Sequence, residues 1–116
     1  MADVAFPVNL VRGVPVVAAP EQIDITNADG LRAALLESAA RGHGTLVVDM
    51  TRTQFCDTSA LHALVGARRQ ALAEGGDVLL VVTGAAVLRI FAITGLDRVF
   101  ASFASLDEAL EQAHPG

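Results

Sequence analysis

Residues 45–61, TLVVDMTRTQFCDTSAL, constrain the chain more than any other stretch. Thr45 to Met50 is a short apolar run closing on an acid, Asp49. Such a run lacks the polar alternation of a half-solvated strand and reads as a parallel strand buried on both faces. Thr51 to Cys56 follow as a polar connection with Phe55 as its apolar anchor. Asp57-Thr58-Ser59 then supplies three residues of helix-capping type, directly ahead of Leu61, Leu64, Val65 and Arg68 at helical spacing. A strand that feeds a helix start places two small hydroxyls where backbone N–H groups are unpaired and the helix dipole is positive. Anions, phosphate included, are stabilised there. Ser59 is therefore a serine that could carry a phosphate at no cost to its own fold.

The rest of the composition narrows the setting. The 116 residues suit one domain spanning 1–116, large enough to bury a normal core. With 53% hydrophobic and only 18% charged residues, disorder is excluded for the chain as a whole. The longest apolar stretch, Val78 to Leu88, is interrupted by Thr83-Gly84 and is too short to cross a bilayer. The N-terminal MADVAFPV lacks the basic segment of a signal peptide, so a cytoplasmic location is expected and membrane contact is not. The net charge is −5 and the basic residues are scattered apart from Arg68-Arg69, which argues against nucleic acid and for a basic protein surface as partner. Tyr and Trp are absent, so an interface must be anchored by Phe, Leu, Ile and Arg. The single cysteine, Cys56, can form no internal disulfide and reads as a small buried hydrophobe.

Taken in order, Val4 to Val11 and Val14 to Ala19 are two strands joined by a tight hairpin at Arg12-Gly13, with Pro7 and Pro15 keeping them at or near a sheet edge. A polar loop runs from Ala19 to Asp24, and Asn27 is placed to cap a helix from about Ala28 to Arg41. Leu31, Leu35 and Ala39 form that helix's stripe, and Gly42 and Gly44 close it. The helix after the motif runs from about Thr58 to Glu74 with Leu61, Leu64, Val65 and Leu72 inward, ended by Gly75-Gly76. A strand over Val78 to Val82, a helix over Ala85 to Thr94 capped by Gly95, an edge strand over Val99 to Phe103 and a helix over Leu106 to Ala113 capped by Ser105 complete the chain. The expected fold class is α/β, a four- to five-stranded mixed sheet with about four helices.

Several chemistries find no support in the residues. No G-x-S-x-G elbow surrounds Ser59, and its neighbour His62 at i+3 has no evident orienting acid, so a hydrolase is not expected. His43, His62 and His114 have no second ligand at metal spacing, and the glycine pairs lack the Lys-Ser/Thr of a P-loop, so neither metal nor cofactor is expected. Asp49 ends a central strand, as a phosphoaccepting Asp does in receiver domains. Those domains also need an acid pair before it and a Lys near Val82-Thr83-Gly84, and both are missing. Asp49 is expected to accept hydrogen bonds from loop N–H groups instead. Arg68-Arg69 reads as a solvated pair complementing the helix dipole.

The motif resembles that of STAS domains, and among them the small free-standing anti-sigma factor antagonists. Those show a strand ending in Asp, an aromatic near the loop's end, and Asp-Ser-Ser/Thr-Gly-Leu. This chain has Asp49, Phe55 and Asp57-Thr58-Ser59-Ala60-Leu61. Glu21-Gln22-Ile23-Asp24-Ile25-Thr26-Asn27-Ala28 answers to the family's Gly-x-Leu-Asp-x-x-Thr-Ala, and Thr94-Gly95-Leu96 to its Thr-Gly-Leu. The resemblance covers about residues 12–113. It implies a single-domain STAS-like fold with Ser59 as phosphoacceptor and Asp24 beside the phosphoserine, while Thr58 reads as sharing the helix cap with Asp57 or, as the alternative, as a secondary phosphoacceptor. Ala60 stands where the family has Gly, a change a helix tolerates but one that alters how closely a kinase backbone can approach. The implied role is regulatory and not catalytic. The unphosphorylated chain would bind an anti-sigma factor that is itself a serine kinase, through Asp24, Asp57, Thr58, Ser59, Ala60 and His62, and so free a sigma factor. Phosphorylation would abolish that binding, and a phosphatase acting on the phosphoserine would restore it. A constitutive STAS scaffold or accessory module remains open, as does a receiver-like phosphoaspartate domain.

Overall fold

The apolar run at the heart of the sequence forms the middle strand of the sheet. The computed structural model describes residues 6–40 and 44–113. Within them the chain runs β1 (Val8–Val11), β2 (Val14–Ala18), β3 (Gln22–Ile23), α1 (Ala28–Ala40), β4 (Leu46–Asp49), β5 (Phe55–Cys56), α2 (Thr58–Ala73), β6 (Val78–Val81), α3 (Ala85–Thr94), a 3₁₀ turn (Leu96–Arg98), β7 (Ser102–Phe103) and α4 (Leu106–Ala113). The main sheet has the order β1-β2-β4-β6-β7. The β1–β2 pair is antiparallel and the other three pairings are parallel. The sheet is therefore mixed, as expected, with β4 at its centre and Leu46, Val47 and Val48 fully buried.

Both faces of the sheet are covered, unequally. Val17, Leu46, Val48 and Leu80 point into the larger core, which α1, α2 and α3 cover with Leu31, Leu35, Leu64, Val87 and Phe91. Val16, Val47, Leu79 and Val81 alternate to the other face and pack under α4 through Ala109 and Leu110. Period-two alternation thus feeds two cores from strands whose sequence shows no polar face.

Local signals hold where the structure is local. Arg12 and Gly13 both adopt positive φ, 53° and 80°, as the tight two-residue hairpin requires. The parallel register of β2 with β4 begins at Val16, one residue past Pro15, so the missing N–H interrupts no pairing there. The helix α3 has the expected bounds, with Gly95 in the left-handed conformation at its end. Ser105 Oγ accepts from Glu108 N–H (3.2 Å) at the start of α4.

Four expectations need correction. The edge strand near the C-terminus shortens to Ser102–Phe103, because Val99 and Phe100 N–H groups both donate back to Leu96 and tighten a turn that buries Phe100. Leu72 is 47% exposed, since the inward stripe of α2 passes through Ala67 and Ala71 and leaves Leu72 a third of a turn away. Asn27 precedes α1 but turns backward. Its Oδ1 accepts from Asp24 N–H and its Nδ2 donates to the Gln22 carbonyl, both at 2.9 Å, so it braces the loop and not the helix's first turn. Arg68 is no free surface charge: its Nε lies 3.0 Å from Asp77 Oδ1 and its guanidinium stands over the Phe100 ring. The strand assigned to Val4 and Ala5, the helix end at Arg41 and Gly42, and His43 and His114 fall outside the described residues.

Candidate functional site at the start of α2

Two short strands position the site. The loops at 19–24 and 51–56, both expected to be irregular, pair in parallel as β3 and β5, with Gln22 opposite Phe55 and Ile23 opposite Cys56. Beyond the pair, Asp57 N–H donates to the Ile23 carbonyl (3.1 Å), and Gln54 and Phe55 N–H groups donate to that of Glu21. Thr53 is buried and its hydroxyl donates to the Pro20 carbonyl (2.8 Å). The loop carrying Asp24 is thereby fastened beside the first turn of α2. Phe55, expected as an apolar anchor, is 47% exposed, because alternation in β5 sends Cys56 inward and Phe55 out.

Asp57 completes the fastening. Its Oδ1 accepts from Ala60 N–H and its Oδ2 from Ile25 N–H, each at 3.2 Å, so one carboxylate caps α2 and holds the neighbouring loop. Thr58 and Ser59 N–H groups, the first two of the helix, have no acceptor among the described residues. Asp24 Oδ1 accepts from Thr26 Oγ and from Thr26 N–H (2.9 Å). These bonds, the hydroxyl's first, hold its carboxyl below the usual range. Asp49 Oδ1 accepts from Thr51 N–H (3.0 Å) and Thr51 Oγ1 (2.8 Å), the loop-bracing role expected of it.

The two hydroxyls open onto different surroundings. Ser59 is half-buried and lines a pocket of about 180 Å³ with Ile25, Ala28, Asp29 and Arg32 on the α1 side and His62 and Ala63 on its own helix. Its hydroxyl has no hydrogen-bond partner among the described residues. Thr58 is exposed and borders a separate hollow of about 230 Å³, mostly apolar, formed with Leu61, Val65, Thr94 and Leu96. His62 is exposed and belongs to both, as the ridge between them. Exposed Ile25 and Phe55 border the same end of the molecule.

Of the residues singled out from sequence, Asp57, Thr58, Ser59 and His62 meet at this helix start, with the Asp24 loop docked against it through Ile25. Ala60 is fully buried, so its side chain drops out of the exposed set. Cys56 is buried as expected. Burial first, and the adjacent Asp57 charge second, push its thiol up to about 11, so it stays protonated and unreactive near neutral pH. Asp29 and Arg32 were not singled out. Their spacing places them one turn apart on α1, but only the packing of α1 alongside α2 brings them to Ser59.

Comparison with known proteins agrees with this architecture. A family model described as the STAS domain matches residues 5–109. A Thermotoga neapolitana protein named as an anti-sigma factor antagonist is 25% identical over 108 residues, 92% of this chain and 96% of its own. The crystal structure of an anti-sigma factor antagonist from Mycobacterium paratuberculosis is 30% identical, covers 93% of this chain and 92% of that one, and superposes with a TM-score of 0.84. The phosphorylated form of the Bacillus cell fate determinant SpoIIAA shares the fold at 21% identity, with 95% of this chain and all of that one covered and a TM-score of 0.72.

Proposed function

The chain belongs to the STAS domain family, and from that premise we propose that it is a cytoplasmic bacterial anti-sigma factor antagonist that switches partners by phosphorylation of Ser59. The unphosphorylated chain docks on an anti-sigma factor, itself a serine kinase, and displaces a sigma factor. The contact face comprises the exposed part of the α2 start (Asp57, Thr58, Ser59, His62), the Asp24 loop, and the apolar Ile25 and Phe55. Relatives named as anti-sigma factor antagonists support this role, and SpoIIAA, known in a phosphorylated form, supports the switch. The observation that carries the reading is the Ser59 hydroxyl, half-buried in an open pocket and without a partner among the described residues, at the positive end of a capped helix.

In the modification step the Ser59 Oγ–P bond forms as the bond from the γ-phosphorus of ATP to its ADP oxygen breaks. The hydroxyl proton passes to a base on the kinase. The product carries about −1.5 to −2 charges at neutral pH. Within the domain that charge sits at a helix start and costs little. Against a partner it must be desolvated beside Asp57 and the Asp24 loop, and like charges in a buried interface cost several kcal/mol. About 3 kcal/mol already lowers affinity more than a hundredfold, so interface electrostatics suffice without refolding.

Mass spectrometry after incubation with ATP and candidate anti-sigma kinases tests the acceptor, and calorimetry tests the switch. Ser59→Ala is expected to keep partner binding and take up no phosphate, while Ser59→Asp weakens binding by about tenfold or more. Phosphate incorporated equally into Ser59→Ala would exclude Ser59. Binding unaltered by ATP, kinase and both substitutions would identify a constitutive scaffold instead.

A further inference from the structure

The pocket beside Ser59 has a composition that the switch described above does not require. On the α1 side it presents Arg32, a guanidinium that makes no ion pair or hydrogen bond with any described residue, Asp29 included. From α2 it presents the His62 imidazole, one turn beyond Ser59 on the same helix. Ala28, Ala63 and Ile25 form its apolar walls. The volume of about 180 Å³ compares with about 30 Å³ per water in the liquid. A phosphoryl group fits with waters to spare.

We infer that this pocket is an intramolecular cradle for the phosphoryl group of phosphorylated Ser59, with Arg32 and His62 as its ligands. The inference rests on the proposal that Ser59 is the phosphoacceptor, and adds where the phosphate goes. A guanidinium matches two phosphoryl oxygens bidentately, and an imidazole N–H reaches a third. The Thr58 and Ser59 N–H groups, without an acceptor among the described residues, lie at the same helix start and favour the same anion. The charged or titratable groups around it are Asp24 on the loop docked through Ile25, Asp29 and Arg32 from α1, and Asp57 and His62 from the start of α2. Asp29 opposes the phosphate but forms no ion pair with Arg32, so the guanidinium is free to turn toward the stronger dianion. Thr58 opens on the mostly apolar hollow, which shares His62 with the cradle but has no arginine among its described lining residues. The cradle therefore also accounts for a preference between two adjacent hydroxyls. With the phosphate held against α1, the modified chain is stabilised and its phosphoserine is less open to a phosphatase.

The test uses full-length chain with phosphoserine installed at position 59 during translation, so that no kinase is needed. Phosphorus NMR then follows the second ionisation of the phosphate against pH, in the folded chain and in the same chain unfolded in urea. The free group ionises near pH 6. In the folded chain this is expected to fall by about half a unit or more, since neighbouring cations favour the dianion. Arg32→Gln is expected to return about half of that shift or more, and His62→Gln a smaller part. Arg32→Gln should also lower the midpoint of thermal unfolding of the phosphorylated chain and leave that of the unphosphorylated chain unchanged. A phosphate that titrates alike in folded and unfolded chain overturns the cradle. So does a shift unmoved by Arg32→Gln, which would leave the helix start alone as its cause. A shift unmoved by His62→Gln removes the histidine from it. None of these results bears on whether a kinase modifies Ser59, which the incorporation experiment decides separately.

Discussion

At its start α2 is tied by a single carboxylate, Asp57, whose two oxygens accept from Ala60 and Ile25 N–H groups. At its end the same helix runs into Gly75 and Gly76, and the backbone of Gly76 lies directly against that of Gly44. Gly76 N–H donates to the Ala71 carbonyl (2.8 Å), and Arg68 reaches across the turn to Asp77. The first arrangement satisfies the helix with a side chain, so it leaves two N–H groups, two hydroxyls and two pockets open to solvent. The second satisfies it with backbone and leaves no space for a side chain between Gly76 and Gly44. A helix that accepts a bulky dianion at one end, as proposed for Ser59, benefits from close backbone packing at the other.

The largest expected effect tests the closed end. A Cβ added at Gly76 would stand 1.9 Å from the Gly44 carbonyl carbon and 2.4 Å from Thr45 N, all backbone atoms that cannot swing aside. Gly76→Ala should therefore destabilise by about 3 kcal/mol or more, beyond ordinary overpacking, because strand β4 must shift to admit it. Thermal denaturation is the measurement, with a fall in midpoint of about 10 °C expected. A fall of a degree or two would mean the closed end yields easily, and the contrast between the ends would dissolve.

Asp57→Ala probes the open end and should cost less. Losing a cap costs about 1–2 kcal/mol, and here the bond to Ile25 N–H goes with it. Because β3 and β5 are only two residues each, the loosening should be local. Hydrogen exchange should accelerate at the Ile25 and Ala60 amides, which lose their acceptor, while the amides of β4 and β6 keep their protection. Acceleration spread evenly over the sheet would show that the two ends unfold as one unit.

These two ends also mark what the sequence makes legible. The capping triad Asp57-Thr58-Ser59, the Arg12-Gly13 hairpin and the Gly95 cap depend on backbone conformations within a few residues, and each is found where the residues point. Gly75-Gly76 reads correctly as a helix stop, yet the contact that confines Gly76 comes from Gly44, two strands and a helix earlier in the chain. The β3–β5 pair is invisible because strands this short have no periodicity of their own and exist only through their pairing. Arg32 stays hidden for a similar reason. On its own helix it is one more exposed polar residue, and only the docking of α1 on α2 gives it an address. Phe55 and Leu72 fail the other way, since apolar character marks a face but not where the face ends.

The smallest expected effect lies midway between the two ends. Gly66 occupies the middle of α2, and a Cβ built on it meets no atom within 4 Å outside its own helix. A glycine in a helix interior costs about 0.5–1 kcal/mol relative to alanine, largely through the freedom it gives the unfolded chain. Gly66→Ala should therefore raise stability by about that amount and the thermal midpoint by about 2–4 °C. It adds no charge and touches neither pocket, so partner affinity should stay unchanged. If affinity moves together with stability, the open end is not finished locally by Asp57. Its geometry would then depend on stiffness carried along the whole helix, and the closed end would be part of the binding site.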